Sequence, residues 1–570
     1  VSNFYLDNPD ILHHLQHMDL EQVIRLKEQD FAQHGVYAHA PQDLPDALDN
    51  YHRVLEIVGQ IAGDFVAPRA DAVDREGARF EDGAVHYAQG TKEALERLAQ
   101  ADLMGFTLPR EYGGINMPKT VYSMAIEMIS RADASLMNLF GLQEIADTIC
   151  KFGSREQKER YLPRFCSGET SGAMALTEPD AGSDLQSISL RADQNEDGGW
   201  VLNGVKRFIT NGCADVSLVM ARSEPGISGG RGVSLFIYER DEHMRIRRIE
   251  DKLGIHGSPT CELQFQDAPA ELLGERKKGL VKYTMSLMNG ARLGVAAQAV
   301  GVAEAALREA KGYARQRVQF GQSIDRFLPV TEMLAEMQVS IQAGRSLLYE
   351  TSRLVDIKEG LEELAERDPE QAKSRKDALK RYTRYSALFT PLVKAYTSEV
   401  VNDICDMAIQ IHGGTGYTKD FPVERLYRDA RITNIYEGTT QLQVVAAIGG
   451  IMTGTFFDWL DVLEQDTDLS SLPAQLEGAR ECRKACEAAV AQIKERADSR
   501  FQEFHARRLV DMAAETGMAY LLVRDALHLD HKRDAAELFV SRAVRRVHSR
   551  REAICAQNQV WFDKAQTLLG

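Results

Sequence analysis

The sequence predicts a mainly α-helical protein with a central β domain. The expected order is a helical N-terminal domain, a small antiparallel β-barrel, a C-terminal four-helix bundle and an additional C-terminal helical domain. Three observations carry this. Apolar residues recur at helical spacing up to about residue 170 and again from about residue 280. Between these stretches the pattern turns to alternation and short apolar runs broken by Asn-Gly pairs. At 570 residues the chain also exceeds one ordinary domain. The expected divisions are 1–40, 41–168, 169–278, 279–450 and 451–570.

Net charge and cysteines narrow the function. A formal charge of -16 and a pI near 5.5 argue against a general nucleic-acid binder, which needs a basic surface. Eight cysteines are scattered, with only Cys482 and Cys486 close, at i,i+4, and no CxxC pair. Free thiols in a reducing cytoplasm are therefore expected, and no metal site. No run reaches the roughly 20 apolar residues of a membrane span, and the first residues show no charged-then-apolar export pattern. The expected location is cytoplasmic.

In the first region, Asn8-Pro9-Asp10 is a start signal ahead of Ile11, Leu12, Leu15 and Met18. His13 and His17 are one turn apart, but no acid or cysteine cluster accompanies them in sequence, so a histidine pair without metal is the expectation. Helical period continues through Val54, Leu55, Val58 and Ile61, and through Leu95, Leu98 and Leu103, with breaks at Pro109 and Gly113-Gly114.

In the middle, Ser171–Leu176 reads as a buried strand, followed by the turn-rich Thr177–Asp184. Trp200–Gly212 reads as a hairpin, with Asn203-Gly204 as its turn and Asn211-Gly212 as a second one. Val216–Arg222, Val233–Tyr238 and Cys261–Phe265 are further strands, and Gly226–Gly232 is a loose connection. From 280 to 450 the period is helical again, and Asn289 and Arg292 share a face at i,i+3. The charged run from Leu354 to Lys380 reads as a solvated helical extension. The tail is helical over Leu476–Val490, Val510–Leu527 and Ala535–Leu569. Its last helix gathers Arg542, Arg545, Arg546, His548, Arg550 and Arg551. A solvated or inter-subunit face is the plain reading of that cluster; a membrane-surface or electron-acceptor contact is the alternative.

The stretch from Gly413-Gly414 through Asp429 to Glu437-Gly438-Thr439-Thr440-Gln441 is the richest in chemistry. Glycines let a backbone approach a large flat ligand. Glu437, between an aromatic and a glycine, is placed either as a base in a half-dry setting or as an exposed loop carboxylate; spacing alone leaves both open. No GxGxxG follows an expected strand and no GxxxxGK[ST] exists, which sets aside a Rossmann nicotinamide domain and a P-loop.

Several of these stretches, in order and spacing, resemble the acyl-CoA dehydrogenase flavoproteins. They are Pro109-Arg110-Glu111-Tyr112-Gly113-Gly114, Leu176-Thr177-Glu178-Pro179 with Ala181-Gly182-Ser183-Asp184, Phe208-Ile209-Thr210-Asn211-Gly212, Arg317-Val318-Gln319-Phe320-Gly321, Ile411–Tyr417, and Tyr436-Glu437-Gly438-Thr439. The resemblance covers about residues 45–450. The tail resembles that of a longer subgroup, which includes methylmercaptopropionyl-CoA and some long-chain bacterial dehydrogenases.

The resemblance implies FAD, an acyl-CoA substrate and α,β-dehydrogenation to the trans-2-enoyl-CoA. Glu437 would take the α proton, hydride would pass to flavin N5, and electrons would leave to an electron-transfer flavoprotein. Thr177, Ser183, Phe208 and Thr210 would contact the flavin or substrate. Phe208 stands where many members have Trp, so the ring is kept and the indole donor lost. Arg317 and Phe320 would reach a neighbouring subunit's FAD, implying a homodimer or tetramer. Gln410, Gly413, Gly414, Thr439 and Gln441 would complete the cofactor site. Asn289, Arg292, Ser183 and Gly438 would hold substrate. The position of an alternative base, just before Arg292, is Ala291, preceded by Gly290, which leaves Glu437. Two other readings remain: an oxidase using dioxygen, and a relative of the DNA-associated alkylation-response flavoprotein, for which the acidic balance is unfavourable.

Overall fold

The computed structural model describes residues 2–556 and 559–569. The chain forms two compact units. The first comprises residues up to Pro9, Lys27–Ala305 and Thr418–Ile432; the second comprises Asp10–Leu26, Ala306–Tyr417 and the residues from Thr433 onward.

The first unit starts with helices whose ends the sequence specifies locally. Asp43 caps the helix Leu44–Gln60 by accepting from the Asp46 N–H, and Ser154 with Gln157 forms a capping box on Arg155–Cys166. Pro109–Gly114 is the expected turn, closed by Gly113 at φ +90°. A small hairpin, β1 (Arg79–Glu81) and β2 (Ala84–His86), precedes the main sheet.

That sheet has seven strands: β3 (Gly172–Ala175), β4 (Arg191–Gln194), β5 (Trp200–Thr210), β6 (Val216–Arg222), β7 (Val233–Glu239), β8 (Met244–Ile249) and β9 (Thr260–Leu272). β5 pairs with β4 and β9, β9 with β7 and β8, β7 with β6, and β6 meets β4 at Arg222↔Arg191, so the sheet curls into a small barrel-like ring. Alternate residues of β6 and β7 face two cores. Leu218, Met220, Leu235 and Ile237 pack with Ile145, Ile149, Leu162 and Phe165. Val219, Ala221, Phe236 and Tyr238 pack with Leu263 and Phe265. Burial on both faces explains why these strands read as unbroken apolar runs.

Two expectations need correction. The sheet is not wholly antiparallel, because β3 runs parallel to β6, with Gly172 opposite Val216. A parallel pair cannot be joined by a tight turn, and the long connection through β4 and β5 supplies the crossover. Nor is Trp200–Gly212 a hairpin: β5 is one strand with bulges at Leu202/Gly204 and Lys206/Ile209. Partners on both sides carry the ladder through Asn203-Gly204, and Gly204, at φ +145°, lies where a Cβ would be 3.0 Å from the Leu190 Cα. Asn211-Gly212 does turn the chain, with the Ala214 N–H donating to the Asn211 carbonyl.

The second unit is helical apart from a two-residue hairpin, β10 (Val318–Gln319) with β11 (Gln322–Ser323). Its helices include Leu328–Arg367, Lys376–His412, Thr440–Met452 and Thr455–Asp466, then Pro473–Arg496, Ser499–Asp525, Asp530–Cys555 and Val560–Leu568. The last expected tail helix is thus two, and its residues 557 and 558 lie outside the described set. Residues 10–26 pack onto this unit. Leu26 covers Gly360, where a Cβ would come within 2.6 Å of the Leu26 Cβ. The charged run is accordingly only half solvated: Glu362, Glu363 and Glu366 are exposed, while Ile357, Leu361 and Leu364 are buried. His13 is buried and its ring lies 4.8 Å from that of His17, which stacks on His528 at 4.6 Å.

The tail arginines are engaged inside the unit. Arg542 binds Glu336 and donates to the Ser340 Oγ at 3.0 Å; Arg546 lies 3.3 Å from Glu336; Arg550 pairs with Glu515 at 3.0 Å. His548 meets Glu481 at 2.7 Å. Much of the basic cluster is therefore neutralised by acids of neighbouring helices. All eight cysteines are free. Among the described residues no single helix is long and apolar enough to cross a membrane.

Candidate active site

In the first unit the candidates gather along β5. The Thr177 carbonyl accepts from the Arg207 N–H at 2.9 Å, which lays the 176–190 loop beside the strand. Phe208 sits at the second bulge with φ +59°, a conformation that turns its ring outward, 53% exposed, with the Arg207 guanidinium 4.5 Å from the ring centre. A positive φ on a bulky residue is strained and signals a constrained position. Thr177 and Thr210 are half-buried, and Ser183 is exposed on the loop. The end of the strand is fastened by Asn211, whose Nδ2 donates to the Gly172 carbonyl at 3.1 Å and whose Oδ1 accepts from the Tyr87 hydroxyl. Asn289 and Arg292 meet as their spacing predicts: the Arg292 Nη1 donates to the Asn289 Oδ1 at 3.1 Å, with Arg292 buried and Asn289 exposed.

Thr418–Ile432 also belongs to this unit. Arg428 pairs with Asp74 at 2.6 Å and with Glu424 at 2.7 Å. Asp429 is buried, its Oδ1 accepts from the Ile255 N–H at 2.6 Å, and Arg425 lies 3.7 Å away. Burial outweighs these partners and pushes the Asp429 carboxyl up to about 6. Its folded value therefore exceeds the unfolded one, so the folded protein holds the extra proton between about pH 4 and pH 6. Stability from this group is present at low pH and is lost as pH rises through that window. Asp429→Asn removes the loss. Unfolding followed at pH 4 and pH 7 is expected to move in favour of the variant by about 3 kcal/mol between the two.

In the second unit, Glu437 is half-buried at φ +54° and is followed by Gly438 at φ +89°. Two left-handed residues in succession make a sharp corner just ahead of the helix Thr440–Met452, for which Thr439 is the N-cap residue. The corner is clamped from behind. The Gly438 carbonyl accepts from the Lys394 Nζ at 2.7 Å and the Gln443 Nε2 at 2.9 Å, and the Glu437 carbonyl accepts from Gln443 at 3.2 Å. Gln441 is exposed one turn on. Gln410 and Gly413-Gly414 stand at the end of Lys376–His412. Gly413, at φ +63°, donates to the Gln410 carbonyl, and a Cβ on either glycine would meet nothing within 4 Å. Arg317 opens the β10–β11 hairpin, which carries Phe320 at its tip, 95% exposed.

The structure thus brings the Thr177 loop beside the strand that carries Phe208 and Thr210, and joins Asn289 with Arg292, Gln410 with Gly413 and Gly414, and Glu437 with Gly438 and Thr439. Sequence reading missed the groups that hold these in place, Lys206 and Lys394 above all. Lys206 occupies an inward position of β5, between Leu202 and Ile209; a lysine in that alternation is the one local signal.

Comparisons with known proteins agree over most of residues 49–559. Family models for acyl-CoA dehydrogenase match residues 49–169 (N-terminal domain), 173–268 (middle domain) and 278–448 (C-terminal domain), and a further acyl-CoA dehydrogenase C-terminal model matches 452–559. The chain belongs to the acyl-CoA dehydrogenase family. It is similar to 3-methylmercaptopropionyl-CoA dehydrogenase of Ruegeria pomeroyi, with 34% identity over 70% of each chain. Among solved structures it is similar to an acyl-CoA dehydrogenase complexed with FAD from Bacillus anthracis, with TM-score 0.75 and 26% identity over 93% of this chain and 92% of that one. A chain in the structure of the electron transferring flavoprotein of Acidaminococcus fermentans matches with TM-score 0.60 and 34% identity, over 70% of this chain and 97% of that one.

This acyl-CoA dehydrogenase is therefore an FAD-dependent oxidoreductase. Its residues fit that cofactor. The outward Phe208 ring and the half-buried hydroxyls of Thr177 and Thr210 offer a flat face and hydrogen-bonding groups. The bare backbone at Gly413 and Gly414 leaves room for a ligand to lie against it.

Proposed function

We propose that this enzyme removes the α and β hydrogens of an acyl-CoA thioester, with Glu437 as the base that takes the α proton. The observation that carries the reading is the clamped corner at Glu437-Gly438. With the Glu437 backbone at φ +54°, and its carbonyl and that of Gly438 held by Gln443 and Lys394, the point from which the Glu437 side chain leaves the chain is fixed before substrate arrives. FAD, when bound, supplies the two-electron acceptor for the β hydrogen. The chain's own contribution is orientation and charge. The Glu437 N–H is assigned as one donor to the thioester oxygen, where negative charge develops as the α proton leaves. Arg292, joined to Asn289, suits the anionic and amide parts of CoA, and Gly438 and Ser183 complete the substrate contacts.

Thr177, Ser183, Phe208, Thr210, Gln410, Gly413, Gly414, Thr439 and Gln441 are assigned to FAD. Arg317 and the exposed Phe320 are assigned to the FAD of a second copy, making a homodimer or a tetramer. The similarity to a chain from an electron-transferring flavoprotein structure supports that class of protein as the electron acceptor. We assign the layout as an N-terminal helical extension over 1–40, a helical domain over 41–168, a β domain over 169–278, a helical bundle over 279–450 and an added helical domain over 451–570.

The test is anaerobic titration of the purified flavoprotein with saturated acyl-CoA thioesters of differing chain type. The expected result is bleaching of the oxidised flavin band by one class, with enoyl-CoA formed in equal amount. A flavin that stays oxidised with every thioester overturns the reading.

A further inference from the structure

The loop from Leu176 to Leu190 leaves β3 and returns to β4, and one buried carboxylate holds both of its ends. The Glu178 Oε2 accepts from the Ser189 N–H at 2.7 Å and the Ser189 Oγ at 2.8 Å; its Oε1 accepts from the Leu190 N–H at 3.0 Å. The same Oε1 takes the Lys206 Nζ at 2.9 Å, and Lys206 also donates to the Leu176 carbonyl at 2.8 Å. Lys206 is fully buried and Glu178 nearly so. Thr177 lies between the two loop residues that Lys206 grips. Phe208 and Thr210 lie two and four residues along the strand that carries Lys206. Between the held ends, Pro179, Asp180 and Gly182–Asp184 are exposed; the tight Glu178–Ala181 turn orders the first of them, and Asp184 caps the short helical turn Leu185–Ser187, accepting from the Gln186 N–H and the Ser187 Oγ.

We propose that Glu178 and Lys206 form a charged clasp that sets Thr177 and the Ser183 loop against the Phe208–Thr210 segment, and so act as positioning residues for the flavin. The proposal rests on the assignment of Thr177 and Thr210 to FAD. Its physical basis is that a buried ion pair is a poor source of net stability, since desolvation offsets the attraction. What this pair supplies is geometry. One carboxylate has enough acceptor sites for four donors, three from Ser189 and Leu190 at the far end of the loop and one from Lys206 on the strand, and an apolar pair of the same volume cannot tie loop ends together. Burial sets the ammonium's cost, lowering Lys206 to about 8 against the opposing pull of Glu178.

The test uses the intact holoenzyme and three variants. Lys206→Met leaves Glu178 buried without its cation. Lys206→Met with Glu178→Gln removes that unpaired charge as well. Arg110→Met breaks a buried pair of the same unit, Arg110 with Glu28 at 2.7 Å, on segments that carry none of the flavin candidates. FAD affinity is read by flavin fluorescence, the flavin environment by the visible spectrum, and folding by the melting temperature. Lys206→Met is expected to weaken FAD binding roughly ten- to a hundredfold, the range of one to two misplaced hydrogen bonds, and to shift the visible band. The double variant regains much of the melting temperature but not the FAD affinity. Arg110→Met loses melting temperature and keeps FAD affinity. If Lys206→Met does not fold, the double variant carries the comparison. The proposal is overturned if the double variant binds FAD as the parent does, or if Arg110→Met weakens FAD equally. A parent protein that binds no FAD would instead overturn the assignment of the flavin site itself.

Discussion

Glu437→Gln is expected to slow flavin reduction by a saturated acyl-CoA by two to four orders of magnitude, roughly the range that a positioned general base contributes, while FAD stays bound. The substitution keeps the side chain's length and leaves untouched the clamp behind it, because Lys394 and Gln443 hold main-chain carbonyls at 437 and 438 and not the carboxylate. The loss therefore falls on proton removal alone. Rapid-mixing absorbance under anaerobic conditions separates the steps: the substrate-induced perturbation of the flavin spectrum persists, and the bleaching phase slows. A variant reduced within about tenfold of the parent rate would remove Glu437 from the role of base. The position just before Arg292 offers no second carboxylate, since it is Ala291, preceded by Gly290. Glu144 does lie against Gly290, close enough that a Cβ there would meet its Oε2 at 2.2 Å, but it is tied to Lys119 at 2.8 Å.

What could be read in the chain beforehand is what short spacing encodes. The change of apolar period located the β domain, the i,i+3 pair Asn289 and Arg292 meets as a hydrogen bond, and Asn211-Gly212 turns the chain. Asn203-Gly204 has the same turn chemistry and does not turn. The difference is tertiary: β4 and β9 flank the strand there, and the ladder absorbs the glycine as a bulge. The parallel pairing of β3 with β6 was equally unreadable, since it joins segments more than forty residues apart that carry no register mark. The candidate side chains were legible because they sit in short ordered motifs. Their supports were not, because Lys206 and Lys394 act on chain segments 28 and 44 residues away. The inward place of Lys206 in its strand marks it as unusual but does not say which carbonyl or carboxylate it meets, and Lys394 carries no such mark.

The N-terminal segment carries the other large effect. Asp10→Asn is expected to destabilise the second unit by about 3–5 kcal/mol, the cost of breaking a buried charge cluster by removing one member. The Asp10 carboxylate lies between Arg345, whose Nη1 donates to it at 2.6 Å, and Lys532, and all three groups are buried. Burial by itself raises the carboxyl's pKa, but Lys532 and Arg345 overturn this and hold it well below the ordinary carboxylate range. An acid depressed in this way contributes stability that is complete above its unfolded value near pH 4 and is lost as pH falls below it. The parent should therefore lose stability on acidification in a way that Asp10→Asn does not. With an amide in place, Arg345 and Lys532 lose the buried carboxylate that they share, and Asp525, which also attracts Lys532, is left to offset part of that charge. Denaturant unfolding at pH 7, paired with limited proteolysis of the 10–26 segment, measures both consequences. A variant that unfolds within 1 kcal/mol of the parent, by the order of magnitude of a surface pair, would show that water or a shifted side chain satisfies Arg345 and Lys532. The same three residues explain why a segment near residue 10 packs with the helix of Arg345, 335 residues further on, and with the still more distant helix of Lys532. Ile11, Leu15, Val23 and Ile24 supply the apolar area, which is non-directional, while the bridging carboxylate at Asp10 favours one register of the helix Pro9–His17 over its neighbours.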